Sequence, residues 1–476
     1  MSRPKIIEYK HINAKSIDAK PVKSFFVEML TRDINLDDAI LDLLDNCIDG
    51  IHRSKKRSEK FEGNKPYHGF WAEIKIDEDS FSISDNCGGI PWDLRDYALR
   101  MGRDQSRALE AGALGTYGIG MKRAIFKMGE YCTISTRSGL FQYQIEITRE
   151  WLKNDNWNLD VKDAEWSGVE DGTSIEIKEL YPGISTQFGE NAEKFISQLK
   201  TTISTHYAYI IEKGFEIKIN NKVVTPRSIM IAFDKHRETP LIRPYIFKTT
   251  SEDGVEVFLT VGFWRSPPSE SEIENENKIP KNSSENAGWT ILCNDRAVVF
   301  NDKTILTGWG DAGVPRYHNQ FIAISGIVEF KSDDPRKLPT TTTKRGLEAS
   351  SPLYLQVRQK MCEGLKVFTQ YTNDWKKRED ESRKIINDAE KLPFMEIKKR
   401  TQSLALAPTQ KIHGGFQYKP TLPKPVDLGP KKKRISFVKE VAKIENVAGY
   451  FGDSVWEPSE IGEKCFDIVY QEAKKV

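Results

Sequence analysis

The sequence carries no surplus of either charge. Its 476 residues include 71 Lys and Arg against 69 Asp and Glu, a formal net charge of +2. That balance excludes bulk electrostatic attraction as the basis of nucleic-acid binding. Long apolar runs are missing too. Nothing approaches the about 18 consecutive apolar residues of a membrane-spanning helix. Met1–Lys10 has no apolar signal core, so export is not expected. Cysteine is sparse: Cys47, Cys87, Cys132, Cys293, Cys362 and Cys465 are scattered, with no C-x-x-C pair. A zinc cluster and a disulfide framework are therefore not expected. The histidines form no H-E-x-x-H or His–Cys cluster. No internal repeat of fixed period is present. A reducing, cytoplasmic setting (nuclear in a eukaryote) follows, with no membrane contact.

What is present is enough apolar material for several cores: 38% of the residues are hydrophobic. Residues Leu36 to Ile51 carry apolar side chains at helical spacing. Phe70 to Ile76 and Ser80 to Ser84 alternate as paired strands about an Asp77-Glu78-Asp79 turn, and Tyr131 to Thr136 with Phe141 to Thr148 form a second pair. Thr173 to Ile177 is a further strand, Ala192 to Ile211 a long helix, and Phe215 to Val224 a hairpin about Asn220-Asn221. Farther on, Val255 to Trp264, Trp289 to Val299 and Phe321 to Phe330 are expected as strands. Pro267 to Ala287 is expected as a mobile surface loop, and Leu353 to Trp375 as a helix reaching toward Leu392. Ala405 to Pro430 has the texture of a linker, and Phe437 to Val476 that of a small helical unit.

Four segments carry chemistry. In Asp42-Leu43-Leu44-Asp45-Asn46-Cys47-Ile48-Asp49 the polar residues Asp42, Asp45/Asn46 and Asp49 share one helix face while the apolar residues share the other. Five aspartates lie between Asn35 and Ile51 with no Lys or Arg among them. Like charges on one face repel, so something should compensate them: a divalent ion, an adenine amino group or an activated water. Asn and Asp oxygens suit magnesium rather than zinc. An ordinary solvated face is the plainer alternative. Next, Ser84-Asp85-Asn86-Cys87-Gly88-Gly89-Ile90-Pro91 follows a strand, and its adjacent glycines allow positive φ and close approach to a ligand. Third, the Gly112–Lys122 stretch (GALGTYGIGMK) opens a helix and offers free N–H groups to phosphate oxygens. It contains no G-K-[ST], so it is not a Walker loop, and its flanks do not fit a Rossmann fingerprint. Last, Asp171-Gly172-Thr173 sets a hydroxyl at the start of a strand.

In this order and at these distances, the four segments resemble the ATP pocket of the GHKL superfamily (gyrase, the large heat-shock chaperone, histidine kinases and MutL), and within it the MORC ATPases and their prokaryotic relatives. The likeness is carried by LLDNCIDG, SDNCGGI and GTYGIGMKRAIFKMG. It implies an α+β chain. A Bergerat-type α/β sandwich binding ATP would cover residues 25–225, after an N-terminal segment, 1–24, acting as a dimer-exchange arm. An α/β transducer domain would occupy 226–375, with a helical extension at 376–392, a linker at 393–434 and a small, mostly helical C-terminal unit at 435–476.

The resemblance also implies roles. Asp42 would be the general base and Asn46 the magnesium ligand, with Asp49 lining the pocket near the nucleoside. Asp85 would accept the adenine amino group, supported by Thr173, with Gly89 at the close approach. Gly115, Tyr117, Gly118, Gly120 and Lys122 would form the lid over the phosphates. In the second region, Pro339 to Gly346 resembles the transducer loop that brings a lysine to the terminal phosphate; Lys344 is the candidate and Arg345 the alternative. Two departures stand out. Asp42 replaces the family's usual glutamate and is one methylene shorter, which implies slow turnover, and Cys87 stands where glycine is common.

The expected activity is therefore that of a magnesium-dependent ATPase working as a nucleotide-gated homodimeric clamp, with DNA as the partner implied by the MORC likeness, in chromatin silencing or prokaryotic defence. Three basic clusters could meet DNA phosphates: Arg53 to Lys65, Lys398-Lys399-Arg400 and Lys431 to Arg434. The alternatives are an ATP-gated scaffold that scarcely hydrolyses and a chaperone acting on protein clients. The C-terminal unit is a candidate for docking a protein partner.

Overall fold

The structure, a computed structural model, describes residues 22–54, 65–102, 112–115, 118–166, 168–234, 242–269, 272, 286–341, 343–376, 378–409, 414–425, 435, 437–452 and 457–475. Most of the N-terminal arm, most of the Arg53–Lys65 and Pro267–Ala287 loops, Tyr117 and the Lys431–Arg434 cluster lie outside the described residues. The chain divides into two compact units, Met1–Lys424 and Pro425–Val476. Among the described residues no helix is long and apolar enough to cross a membrane.

Among the described residues the first unit holds two large sheets and a two-stranded one, and the architecture is α+β. Its N-terminal part runs α1 (Lys23–Arg32), α2 (Leu36–Arg53), β1 (Trp71–Ile76), β2 (Phe81–Asp85), α3 (Arg95–Leu99), α4 (Gly120–Met128), β3 (Gly129–Ser138), β4 (Phe141–Ile147), α5 (Arg149–Lys153), β5 (Val161–Asp163), β6 (Gly172–Leu180), α6 (Pro182–Phe188), α7 (Ala192–His206), α8 (Ala208–Glu212), β7 (Glu216–Ile219) and β8 (Lys222–Val223). The strands form one sheet in the order β5-β4-β3-β6-β2-β1-β7-β8, antiparallel except where β1 pairs with β7. Along β1, Ala72, Ile74 and Ile76 are buried and alternate with more exposed residues. That is the pattern of a sheet packed on one face. Its core joins Ile40, Leu44 and Ile48 of α2 to Ile74, Ile83, Ile134 and Ile177, with Ile125 of α4 and Ile203 of α7.

Lys23 anchors α1 from inside the domain. Its ammonium donates to the carbonyls of Trp151 (2.7 Å) and Asn156 (2.5 Å) and lies 3.6 Å above the Trp151 ring. Burial lowers its pKa from the ordinary lysine value.

The second sheet is built from β10 (Tyr245–Thr250), β11 (Glu256–Phe263), β12 (Gly288–Cys293), β13 (Arg296–Asp302), β14 (Ile324–Lys331), β16 (Ala407–Pro408) and β17 (Phe416–Tyr418), in the order β13-β12-β14-β11-β10-β17-β16. A separate pair joins β9 (Met230–Phe233) to β15 (Glu390–Pro393). Strands β11, β12 and β14 are buried almost throughout because both faces are covered. Helix α9 (Pro352–Asp374) covers one face through Val357, Met361, Leu365 and Phe368. The other face meets Tyr209 of α8 and Phe394 and Ile397 of α11 (Phe394–Arg400). In the chain, α10 (Glu379–Asn387) lies between α9 and α11. The second unit contains α12 (Val441–Tyr450) and α13 (Pro458–Ala473), the latter closed by a capping box between Glu457 and Glu460.

Several expectations need correction. Trp289 to Val299 is not one strand but the hairpin β12–β13, turning at Asn294 and Asp295, whose φ values of 47° and 72° are both left-handed. Asn and Asp tolerate that region, and a two-residue turn of this hand fits strand twist. The helix from Leu353 ends at Asp374 rather than running on toward Leu392. The stretch expected as linker supplies β16 and β17, with Phe416–Tyr418 pairing along β10. Because those strands complete the second sheet, a chain ending at Leu404 should melt at a lower temperature than one ending at Lys424. Equal melting temperatures by differential scanning calorimetry would contradict the strand addition.

Candidate functional site

The acidic face of α2 is compensated by basic side chains arriving from distant parts of the chain. Asp45, 1% exposed, accepts from Tyr207 Oη at 2.5 Å and Lys344 Nζ at 2.6 Å, and lies 3.1 Å from Arg296 Nε. Burial alone would raise its pKa, but Arg296 and Lys344 reverse this and hold the carboxyl below its ordinary value. Asp42 Oδ2 accepts from Arg123 through Nε (3.2 Å) and Nη2, while its Oδ1 lies 3.9 Å from Lys344 Nζ. Arg345 reaches Asp37 at 3.0 Å and pairs with Asp38. It also donates to His206 Nε2 at 2.8 Å. His206 Nδ1 lies 2.5 Å from the Ala297 carbonyl and so carries the proton, which leaves Nε2 to accept. Burial pushes the His206 pKa down to about 4, with the Ala297 bond opposing, so the ring is neutral near pH 7.

The turn between β12 and β13 brings three consecutive residues to this region. Arg296 meets Asp45. Asp295 accepts from Lys213 Nζ (2.5 Å) and Tyr67 Oη (3.1 Å). Burial opposes ionisation of Asp295, yet Lys213 and Lys331 keep its pKa low. Asn294 Nδ2 donates to the carbonyls of Ala113 (3.2 Å) and Ser332 (3.0 Å).

Ala113 belongs to the root of the glycine loop, which is held from two sides. The Gly112 N–H donates to Asp333 O at 3.3 Å. From α2, Asp49 accepts the N–H groups of Leu114 (2.6 Å) and Gly115 (2.9 Å). Asp49 therefore lines the cavity while its carboxylate fastens the loop. At the far end of the loop, Gly120 opens α4 directly over Asp42. A Cβ on it would stand 3.2 Å from Asp42 Cβ and Cγ, so glycine lets the helix N-terminus approach the carboxylate. Lys122 lines the same cavity, and its buried ammonium donates to the Ala98 carbonyl at 2.8 Å.

The Asp85 side is built more tightly. Asp85 ends β2, its Oδ1 accepts the Cys87 N–H at 2.7 Å, and its Oδ2 accepts from Cys47 Sγ at 3.5 Å. Burial raises its pKa to about 6. Thr173 stands on neighbouring β6, 3.2 Å from Thr136 Oγ1. Gly89 has φ 66°, and a Cβ there would fall 2.0 Å from the Arg137 carbonyl, so only glycine fits. The left-handed turns after Asp85 are taken by Gly88 and Gly89. Cys87 is not among the residues of positive φ, and its buried thiol is accommodated 3.8 Å from the Trp71 carbonyl.

Asp42, Asn46, Asp49, Gly115, Gly118, Gly120, Lys122 and Lys344 line one cavity, with Arg53, Ile90, Pro91, Tyr97 and Arg123. Asp85, Gly89 and Thr173 are not among the lining residues, and Tyr117 lies outside the described residues. The cavity measures about 110 Å³. Small-molecule pockets start near ~300 Å³; Arg123 and Lys344 reach across the floor of this one to the carboxylates of α2.

Residues 34–177 match the family model described as histidine kinase-, DNA gyrase B- and HSP90-like ATPase. The matched segment carries a GHKL-type ATPase domain. It covers under a third of the chain, from just before α2 into β6. No curated protein gives a significant match. ATP binding is thus supported for the GHKL-type domain, and magnesium is the ion its family implies. Among the described residues, no group of three or more His, Cys, Asp or Glu could hold a metal by itself. Magnesium bound with phosphate and water oxygens needs only one or two protein ligands, so exposed Asn46 fits such an ion as its protein contact.

Sequence reasoning missed Arg123 and Arg296. Arg123 stood next to Lys122 in the quoted motif. Arg296 follows the Asn294-Asp295 turn inside an apolar run with the pattern of a single strand. Removing one partner of a buried ion pair leaves an uncompensated charge, so Arg296→Ala should cost about 3–5 kcal/mol of stability. Denaturant unfolding measures this, and a change within error would contradict the role assigned to the Asp45–Arg296 pair.

Proposed function

We propose that this protein is a magnesium-dependent ATP switch with slow hydrolysis. The observation that carries the reading is the meeting, around one cavity, of the α2 polar face, the glycine loop and Lys344, alongside the GHKL family match. Phosphates would lie against the N–H groups at the start of α4, where the helix dipole favours anions. Asn46 would hold the magnesium ion, whose contribution is to neutralise phosphate charge. Asp42 would polarise the attacking water and Lys344 would stabilise charge on the terminal phosphate. Asp85 and Thr173 would take the adenine.

A specific observation also favours the second reading, a scaffold that binds ATP and scarcely turns it over: Arg123 pairs with Asp42, and Lys344 lies within 3.9 Å of its other oxygen. Closure of two copies into a clamp, and DNA as what it closes on, rest on the resemblance to MORC ATPases. Of the three basic clusters, Lys398-Lys399-Arg400 already meets acidic side chains of its own chain: Lys398 pairs with Glu329, Lys399 with Glu396 and Arg400 with Glu390.

Asn46→Ala should abolish ATP binding, while Asp42→Ala should keep binding and stop phosphate release. Equal turnover by wild type and Asp42→Ala would remove Asp42 as the base, while wild-type phosphate release at background with ATP binding retained selects the scaffold. Stimulation by DNA at low salt that fades at physiological salt supports the DNA clamp; stimulation by unfolded protein alone supports a chaperone.

The raised pKa of Asp85 gives a pH signature. Accepting the adenine amino group requires the carboxylate, so affinity should be level above pH about 6 and fall by about tenfold for each unit below it. Calorimetric titrations from pH 5 to 8 that show no bend near 6 would remove Asp85 from adenine recognition.

A further inference from the structure

We infer that Arg123 distinguishes a nucleoside triphosphate from a diphosphate by exchanging Asp42 for the terminal phosphate. This deepens the reading of the cavity as an ATP site with Asp42 beside the terminal phosphate, and it rests on that reading.

Arg296, Lys344 and Arg123 pair with Asp45 and Asp42 of α2, and they are not held alike. Arg296 is 2% exposed and packed against Asp45 and the Tyr207 ring. Lys344 is anchored at both ends. Its ammonium donates to Asp45 at 2.6 Å, and its carbonyl accepts from Arg296 Nη1 at 3.1 Å. Arg123 pairs with Asp42 instead, through Nε and Nη2 on a single oxygen. It projects from the start of α4, three residues beyond Gly120, and lines the cavity. Asp42 is therefore the carboxylate that can be relieved of its cation without uncovering the fully buried Asp45.

A guanidinium presents its donors as a planar fork that matches phosphate as well as carboxylate oxygens. A terminal phosphate carries more negative charge than Asp42 and offers the fork two oxygens, so the exchange is favourable when that phosphate is present. A diphosphate leaves the position empty and the Arg123–Asp42 pair intact. The same exchange has a catalytic consequence. While Arg123 holds Oδ2 through two donors, only Oδ1 of Asp42 is open to a water, so release of Oδ2 would be tied to arrival of the group to be cleaved. Arg123 is in this sense a positioning residue for Asp42 as well as a phosphate contact.

The test uses the full chain and calorimetry with ADP and a non-hydrolysable ATP analogue, for wild type, Arg123→Ala, Arg123→Gln and Arg123→Lys. Wild type should bind the triphosphate more tightly than ADP. In Arg123→Ala and Arg123→Gln that preference should shrink by about 10-fold or more, the scale of a charge-assisted contact, with ADP affinity unchanged. Arg123→Lys should recover only part of it, because an ammonium cannot form the fork. An undiminished preference in the Ala and Gln variants, or equal loss of both nucleotides, overturns the role of Arg123 and leaves the ATP site standing. Failure of wild type to bind either nucleotide overturns the site itself and this inference with it.

Discussion

The structure turns on the need to neutralise α2. This helix carries five aspartates and no basic residue before its last turn, and it is buried along most of its length. Charges so placed are tolerated only when paired, and the helix offers Asp37, Asp38, Asp42 and Asp45 no basic residue three or four positions on. The partners come from elsewhere. Arg123 lies 81 residues from Asp42, Lys344 lies 299 residues from Asp45, and Arg345 lies 308 residues from Asp37. Satisfying one helix therefore draws the glycine loop and the second sheet to the same place. A surface network of this kind would contribute little to stability; here the burial of Asp45 and Arg296 makes each partner costly to remove.

The second region reaches the GHKL-type domain through short, specific contacts as well as through apolar packing. In the β12–β13 turn, Asn294 holds the root of the glycine loop, Asp295 binds Lys213 and Tyr67, and Arg296 faces Asp45. The loop after β14 adds a bond from Gly112 to the Asp333 carbonyl. Lys344 sits at φ 57°, a left-handed conformation unusual for lysine, in the loop that carries its ammonium to α2. On the proposed reading, a ligand that rearranges the glycine loop or Lys344 must also alter contacts made by the second sheet. That is how nucleotide state could be passed from one sheet to the other.

Much of this was legible in the sequence, and unevenly so. Long periodic elements such as α2, β3, β4 and α9 follow from the spacing of their apolar residues, and the cavity-lining residues Asp42, Asn46, Asp49, Gly118, Gly120 and Lys344 all lie in segments singled out by motif. What periodicity could not supply was partnership. The like charges of α2 are visible in the sequence and call for compensation, but the arginines and lysines that pair with them are brought in by tertiary contact. The β12–β13 turn was missed because Asn294-Asp295 lies inside an apolar run that continues on either side. The strands β16 and β17 were missed because they are two and three residues long and follow a Pro- and Gly-rich texture.

If the acidic helix joins a nucleotide site to the second sheet, ligand binding must be felt on both sides of it. Hydrogen exchange of the full chain, with and without saturating ATP and magnesium, measures this directly. ATP should change exchange in the Gly112–Gly115 root, in the Asn294–Arg296 turn and in the loop around Lys344 together. A change confined to residues 34–177, with the turn and the Lys344 loop unaltered, would contradict it.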